Sequence, residues 1–139
     1  MTESQVLDYV TQWATRLGLL PEWRITVKAI PLGSLDDHGS DELRGTCLVD
    51  ARYATASVRI CADNDDEAVE ETILHELLHI CLADLMDVMA PMDDSVREML
   101  EERLVSRLTR ALLALRRGVG FDDVAHYDQA PDGGESDGD

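Results

Sequence analysis

The sequence contains few basic residues. Its 12 lysines and arginines oppose 29 aspartates and glutamates, which gives a formal net charge of −17 at pH 7. Because nucleic acids and anionic membrane surfaces are bound largely through Lys and Arg, we expect neither among the partners of this protein. The charge favours a basic or neutral protein or peptide as the partner, and it does not predict an oligomeric state.

Long apolar runs and paired cysteines are also missing. No apolar stretch approaches the roughly 20 residues that span a bilayer, and the acidic N-terminal residues do not predict a signal peptide. The three cysteines, Cys47, Cys61 and Cys81, form no C-x-x-C pair, which disfavours both a disulfide framework and a cysteine zinc site. We therefore predict a protein of the reducing cytoplasm.

The length of 139 residues fits one domain with a single hydrophobic core. From residue 122 onward the chain carries seven acidic residues and no lysine or arginine. Such a composition is typical of a segment without fixed structure. We therefore predict a domain over residues 1–121, followed by an acidic tail over residues 122–139.

The hydrophobic pattern predicts an α+β fold with an N-terminal helix, a small three-stranded sheet and two later helices. Thr2 and Gln5 form a capping box before the first helix, and Gly18 follows its end. Apolar residues alternate with polar ones in three further segments, which predicts strands. The predicted helices cover residues 3–17, 64–87 and 94–117, and the predicted strands cover residues 23–30, 45–50 and 54–62.

The pattern also predicts how two of these elements pack. If the strand over residues 54–62 lies at the sheet edge, its free backbone groups could hold an extended peptide. The spacing of apolar residues in the last helix predicts a buried stripe on one of its faces. The predicted members of that stripe are Leu100, Leu104, Val105, Leu108, Leu112 and Leu115.

The second helix carries the motif H-E-x-x-H as His75, Glu76 and His79. On a helix, two histidines at i and i+4 place their imidazoles on one face, about one turn apart, which suits one zinc ion. Glu76 lies beside them, where its carboxylate could take a proton from an attacking water and deliver it to a leaving group. The motif therefore predicts a Zn²⁺ site with Glu76 as general base and acid.

A catalytic zinc usually has three protein ligands and one position for water, so a third ligand is needed. Leu85 stands where the extended motif H-E-x-x-H-x-x-G-x-x-H would place a third histidine, which excludes a metzincin. The last helix offers Glu98, Glu101 and Glu102 instead. Glu101 lies nearer the centre of the predicted apolar stripe, so burial alone favours Glu101.

Residues 72–80 (TILHELLHI) and 101–115 (EERLVSRLTRALLAL) resemble small phage and prophage H-E-x-x-H proteins, related to minimal gluzincins and the ImmA/IrrE metallopeptidases. The resemblance extends over about residues 23–115 and implies a zincin-like minimal fold, with the motif helix packed against the ligand helix. In the family pattern E-x-x-A-N-x-F, the ligand glutamate precedes a small apolar, a polar and a large apolar residue. Glu102, followed by Val105, Ser106 and Leu108, matches this pattern.

The resemblance therefore implies Glu102 as the third ligand, with Glu101 as the alternative. It also implies that Ser106 occupies a polar position that orients a ligand, although serine replaces the Asp or Asn of the family. Tyr53, His126 and Tyr127 are candidates for stabilising the oxyanion of the reaction. His38, in a predicted loop, is a further polar residue that could reach the site.

Together these features predict a zinc-dependent peptidase of gluzincin type that acts on a protein or peptide. Two alternatives have no catalysis: a zinc-binding regulatory protein, and a phage accessory protein that acts through its acidic surface. A third interpretation places His75 and His79 in the core, paired with nearby carboxylates. Replacing Glu76 by glutamine separates the enzyme from the other interpretations, because only the enzyme needs a proton acceptor there.

Overall fold

A computed structural model of the protein describes residues 1–31 and 44–118. These residues form an α+β domain in which a small mixed sheet packs against helices. The elements, in chain order, are α1 (Glu3–Arg16), β1 (Arg24–Ile30), β2 (Gly45–Asp50), β3 (Thr55–Cys61), α2 (Asp66–Cys81), α3 (Ala83–Val88) and α4 (Asp94–Arg116). The predicted tail over residues 122–139 lies outside the described residues.

Helix α1 begins as the sequence predicts. The Thr2 hydroxyl accepts a hydrogen bond from the Gln5 amide at 3.2 Å, and the Gln5 side chain accepts one from the Thr2 amide at 2.8 Å. This reciprocal capping box satisfies two backbone donors that a helix start otherwise leaves unpaired. Gly18 follows the helix with a φ of +77°, a left-handed conformation that glycine adopts at low cost.

The sheet has the strand order β1-β3-β2, with β1 parallel and β2 antiparallel to β3. The alternation predicted for β3 is seen at its centre, where Val58 and Ile60 are buried while Ser57 and Arg59 are exposed. Cys61, which continues the Ser57 and Arg59 alternation, is buried as well, and its thiol lies 3.6 Å from the Pro31 carbonyl oxygen.

The strand order corrects one expectation. The sequence allows the strand over residues 54–62 to lie at the sheet edge, but β3 pairs with a neighbour on each side and is central. The free edge beside α2 belongs to β2, since β2 pairs only with β3 within residues 1–31 and 44–118. Any strand-like binding of a peptide near α2 therefore has to use β2.

The single helix predicted over residues 64–87 is interrupted. Helix α2 ends at Cys81, and Leu82, with φ −94° and ψ 1°, separates it from the short helix α3. No glycine or proline occurs between residues 64 and 90, so the sequence contains no breaker that marks this point. The core side of α2 is strongly apolar, as predicted, with Ile73, Leu74 and Leu77 fully buried.

Helix α4 has the predicted length, and its buried face matches the predicted stripe in part, since Val105 is buried and Leu108 and Leu112 pack against the core. Asp93 caps it by accepting hydrogen bonds from the amides of Ser95 at 2.9 Å and Val96 at 3.3 Å. Its buried residues are Val105, Thr109, Leu113 and Ala114. Leu100 and Leu115 of the predicted stripe are exposed instead.

The buried face of α4 is turned by about one residue from the leucine stripe, and a buried threonine makes this possible. The Thr109 hydroxyl donates to the Val105 carbonyl at 2.7 Å, so this polar group is satisfied inside the helix. The rotation directs the first half of α4, with its glutamates, toward the histidines of α2.

One hydrophobic core connects these elements. It joins side chains of α1, the sheet, α2 and α4, and α2 lies between the sheet and α4. Because α2 contacts α1, β2, β3 and α4, a side chain on α2 has a well-defined position in the fold. Among the helices of residues 1–31 and 44–118, none combines the length and apolarity that crossing a membrane requires.

Candidate metal centre

The candidate site begins with the two motif histidines on α2. Asp65 caps the start of this helix by accepting from the Ala68 amide at 2.9 Å, which fixes the helix ten residues before His75. One helical turn separates His75 from His79, and their ring centroids lie 5.0 Å apart. Both rings therefore face the same side of α2, as the motif spacing predicts.

Three ligand-type atoms converge on that side. The Nε2 atoms of His75 and His79 lie 3.3 Å apart. The Glu102 carboxylate of α4 approaches both, with Oε1 at 3.2 Å from His75 Nε2 and Oε2 at 3.0 Å from His79 Nε2. Residues from two separate helices thus form one cluster of possible metal ligands.

The spacing of these atoms fits a tetrahedral zinc ion. Zinc bonds of about 2.0–2.1 Å to nitrogen and oxygen place neighbouring tetrahedral ligands about 3.3 Å apart. The three observed separations of 3.0, 3.2 and 3.3 Å are close to that value. The residues present therefore fit the zinc that the motif implies.

Glu101 contacts His79 from the opposite side of its ring. Its Oε2 lies 2.7 Å from His79 Nδ1, and an ionised carboxylate can only accept a hydrogen bond. With Nδ1 as the donor in this contact, Nε2 keeps its lone pair directed toward Glu102 and His75. The two adjacent glutamates thus have different positions: Glu102 faces both Nε2 atoms, while Glu101 orients one ring.

Burial favours the neutral form that a ligand histidine needs. Desolvation lowers the pKa of His75, and the nearby His79 lowers it further, while the charge of Glu102 opposes both effects. A neutral imidazole can offer its nitrogen lone pair to a cation, whereas a protonated one cannot.

Glu76, the central residue of the motif, is 8 % exposed. Burial raises the pKa of Glu76 to about 7, with the His79 ring opposing this effect and the Glu102 charge adding to it. A carboxyl group in such a place can exchange a proton near neutral pH, which is the property that general acid and base catalysis requires.

Gly45, at the start of β2, allows the sheet to approach this part of α2. A Cβ atom added there would lie 2.7 Å from Cγ2 of Thr72 and 3.2 Å from Cγ of Glu76. A larger residue would push against both side chains, so glycine is required by the close contact. Gly45 is a site residue that the sequence analysis missed, although an isolated glycine at a strand end is a signal of close approach.

A cleft of about 830 Å³ runs over the candidate ligands. The edge strand β2 lines one side of it and the first half of α4 lines another, with His75, Glu76 and His79 between them. Cys47 of β2 also lines this cleft, and burial together with the charges of Glu76 and Glu101 raises its pKa to about 12. The Cys47 thiol is not one of the three ligand-type groups that converge at His75, His79 and Glu102.

The other predicted site residues lie elsewhere. Tyr53 is in the turn between β2 and β3, is 70 % exposed and stacks with the Arg52 guanidinium, away from the residues that line the cleft. His38, His126 and Tyr127 fall outside the described residues. Ser106 lines a smaller cavity beside His75.

A second polar cluster on α2 was not predicted. Glu70 is 2 % exposed and accepts a hydrogen bond from Trp13 Nε1 at 2.8 Å and another from the Arg116 guanidinium. We call Trp13, Glu70 and Arg116 the Glu70 cluster, and His75, His79, Glu101 and Glu102 the histidine cluster. The sequence contains a sign of the Glu70 cluster. Glu70 lies four and seven residues before Leu74 and Leu77, so it falls on the same apolar face of the helix.

Comparisons with known proteins identify no relative from which a function could be inferred. The chain matches no protein-family model, no curated protein and no solved structure at a significant level. The resemblance to phage H-E-x-x-H proteins and to the gluzincins therefore stays a prediction. The function has to be inferred from the geometry of the site itself.

Proposed function

We propose that this protein is a zinc-dependent peptidase. The observation that carries the proposal is the meeting of His75, His79 and Glu102 beside the buried carboxyl of Glu76, in an open cleft. A pair of core histidines satisfied by carboxylates would also account for the contacts with Glu101 and Glu102. It would not account for the buried acid Glu76 beside them or for the open cleft above them.

His75, His79 and Glu102 would hold the metal, and Glu101 would keep the His79 ring in the orientation for binding. Zinc, when bound, would supply the Lewis-acid chemistry that activates water and polarises a carbonyl near neutral pH. Glu102 is well placed for this role although its side chain is 56 % exposed, because both of its oxygens approach histidine nitrogens.

Glu76 would move the proton. Its carboxylate would take a proton from the attacking water and deliver it to the amine that leaves as the peptide bond breaks. Its buried carboxyl lies close enough to His79 and Glu102 for their charges to act on it, which places the proton carrier beside the proposed ligands.

Strand β2 would hold the substrate. It is an edge strand and several of its residues line the cleft, so an extended peptide could pair with its free side while passing over the histidines. Gly45 would keep the start of this strand close to Glu76. The substrate is therefore proposed to be an unfolded or flexible protein segment.

Replacing Glu76 by glutamine tests the proposal. The variant should bind zinc as the wild type does, because Glu76 is not a ligand, but its turnover of an unfolded protein should fall by about 10²–10⁴-fold. Zinc content is measured by metal analysis and turnover by mass spectrometry of the fragments.

The result also separates the alternatives. Equal zinc content with no cleavage by wild type or variant would favour a zinc-binding regulatory protein without turnover. Absence of stoichiometric zinc in wild-type protein purified without chelators would contradict both the peptidase and the regulatory zinc protein. A Glu98→Gln variant is a suitable control, since Glu98 lines the same cleft on α4.

A further inference from the structure

A second cavity, of about 280 Å³, adjoins the metal cleft. The two share Gly45, His75 and Glu76, so the cavity opens directly beside one candidate ligand and the candidate proton carrier. At about 30 Å³ per water molecule, this volume corresponds to roughly nine waters. It can accept one substrate side chain or a chain end, but not a folded segment.

The donors in this cavity come mainly from two arginines. The hydroxyls of Thr72 and Thr109 line it, but they donate to the backbone carbonyls of Ala68 at 3.0 Å and Val105 at 2.7 Å. Their oxygens therefore face a ligand chiefly as acceptors. The remaining side-chain donors that line the cavity, apart from His75, are the guanidinium groups of Arg44 and Arg110 and the hydroxyl of Ser106.

The two arginines are held by different elements. Arg44 directly precedes β2, and its carbonyl accepts a hydrogen bond from the Cys61 amide at 2.8 Å, which fixes its backbone to the sheet. Arg110 is half-buried on α4, next to the buried Thr109. Their meeting at one cavity is unusual in a chain with 12 basic and 29 acidic residues.

Two acidic residues also line the cavity. Glu71 is exposed on α2, and Glu76 belongs to the catalytic group proposed above. Guanidinium groups bind carboxylates through paired, charge-assisted hydrogen bonds, which are stronger than bonds between neutral groups. An incoming carboxylate would form stronger bonds with Arg44 and Arg110 than an uncharged group of the same shape, and the charge of the exposed Glu71 would oppose part of that gain.

We propose that this cavity binds a carboxylate of the substrate next to the bond that is cleaved. The carboxylate is either an acidic side chain or the free C-terminus of the peptide. The proposal rests on the peptidase function proposed above and adds the substrate class: peptides with a negative charge beside the scissile bond.

Binding of matched peptides to the zinc-loaded, full-length Glu76→Gln variant tests the cavity without requiring turnover. The probes are capped alanine-based peptides in which one glutamate is moved along the chain, and the same peptides with glutamine. Uncapped and C-terminally amidated polyalanine peptides test the free C-terminus. We expect glutamate, or the free C-terminus, to bind about 10-fold more tightly at one position, measured by calorimetry.

A second substitution, Arg110→Met in the same background, should reduce that preference to near unity while leaving zinc affinity unchanged. Arg103→Met is the matched control, because Arg103 lies on the same helix but does not line this cavity. If Arg110→Met does not fold, as judged by circular dichroism, Arg44→Met replaces it with the same expected result.

Equal binding of the glutamate and glutamine peptides at every position, together with equal binding of the uncapped and amidated peptides, would overturn the proposal. A preference for a carboxylate that survives both Arg110→Met and Arg44→Met would overturn it as well. Its failure is distinguishable from failure of the peptidase function. A carboxylate preference without cleavage by the wild type would contradict only the peptidase, and cleavage without any preference would contradict only the carboxylate site.

Discussion

Two polar clusters join α2 to α4, and they differ in how their donors and acceptors balance. In the Glu70 cluster, one carboxylate accepts from Trp13 and Arg116, so an acceptor meets two donors. In the histidine cluster, the Nε2 atoms of His75 and His79 and the carboxylate of Glu102 all face one another. In the first arrangement two donors satisfy the acceptor, whereas the groups of the second can be satisfied either by ring protons or by a shared cation.

This difference distinguishes a cluster that is complete by itself from one that we propose to hold a metal, on the same helix pair. Burial alone does not distinguish them, because Glu70 is more buried than any member of the histidine cluster. The number of donors available to each acceptor does. We therefore expect zinc to affect the histidine cluster and not the Glu70 cluster, and substitutions of the two to have different consequences.

The largest expected effect is the stabilisation of the whole domain by zinc. A ligand at about 1,000 times its Kd stabilises the folded state by about 4 kcal/mol, provided that it does not bind the unfolded chain. Urea unfolding with zinc and with a chelator should show this difference for the wild type and for Glu70→Gln. Glu102→Gln should lose most of it, and an equal response of Glu102→Gln and wild type would remove Glu102 from the site.

The next effect concerns Glu101, which contacts a ligand rather than the metal. Glu101→Gln should weaken zinc binding by about 10–100-fold, the usual effect of losing the partner that orients a ligand histidine. Competition with a zinc chelator of known affinity measures it. Glu98→Gln is the control on the same helix, and an unchanged affinity in Glu101→Gln would show that the contact with His79 Nδ1 has no role in binding.

Glu70→Gln should change the stability of the fold rather than the binding of zinc. It keeps the shape of the side chain and an acceptor for Trp13, but it loses the charge that faces Arg116, so we expect a loss of about 1–2 kcal/mol in the free energy of unfolding. Zinc affinity should stay unchanged. Urea unfolding and zinc titration of the same protein check both parts, and a weakened zinc site would mean that the two clusters are coupled.

Local signals in the sequence predicted much of this arrangement. The capping box at Thr2, the alternation in β1 and the spacing of His75 and His79 depend on neighbouring residues, and the structure confirms each of them. Strand order was not predictable in this way, since alternation shows which face of a strand is buried but not which strands pair with it.

The face of α4 was mispredicted in part, for a related physical reason. Leucine spacing ignores that a threonine can be buried when its hydroxyl bonds to the preceding turn, as Thr109 does. Leucine spacing also assumes that every leucine of the stripe is buried, whereas Leu100 and Leu115 are exposed on α4. Burial does not identify the ligand either, because Glu101 is the more buried of the two glutamates, while Glu102, the ligand that the resemblance implies, faces both Nε2 atoms.

The smallest expected effect tests whether α4 links the two clusters. Hydrogen bonds from Ser95 and Val96 lower the pKa of Asp93, the cap of α4, from its ordinary 3.8. A carboxylate with a depressed pKa stabilises the fold above the pKa of the unfolded chain, and this contribution is lost as the pH falls through the folded value. The substitution Asp93→Asn keeps a side chain that can cap the helix but removes the group that titrates.

The urea midpoint of the metal-free wild type should therefore fall more steeply below about pH 4 than that of Asp93→Asn, because only the wild type loses a charged cap there. In a Trp23→Phe background, which leaves Trp13 as the only tryptophan of the sequence, fluorescence reports the Glu70 cluster during this unfolding, and zinc affinity at neutral pH reports the histidine cluster. Removing the cap entirely with Asp93→Ala should weaken both by a small amount, since α4 contributes a member to each. A change confined to one cluster would show that the two are held independently, with α4 unfolding in parts rather than as one helix.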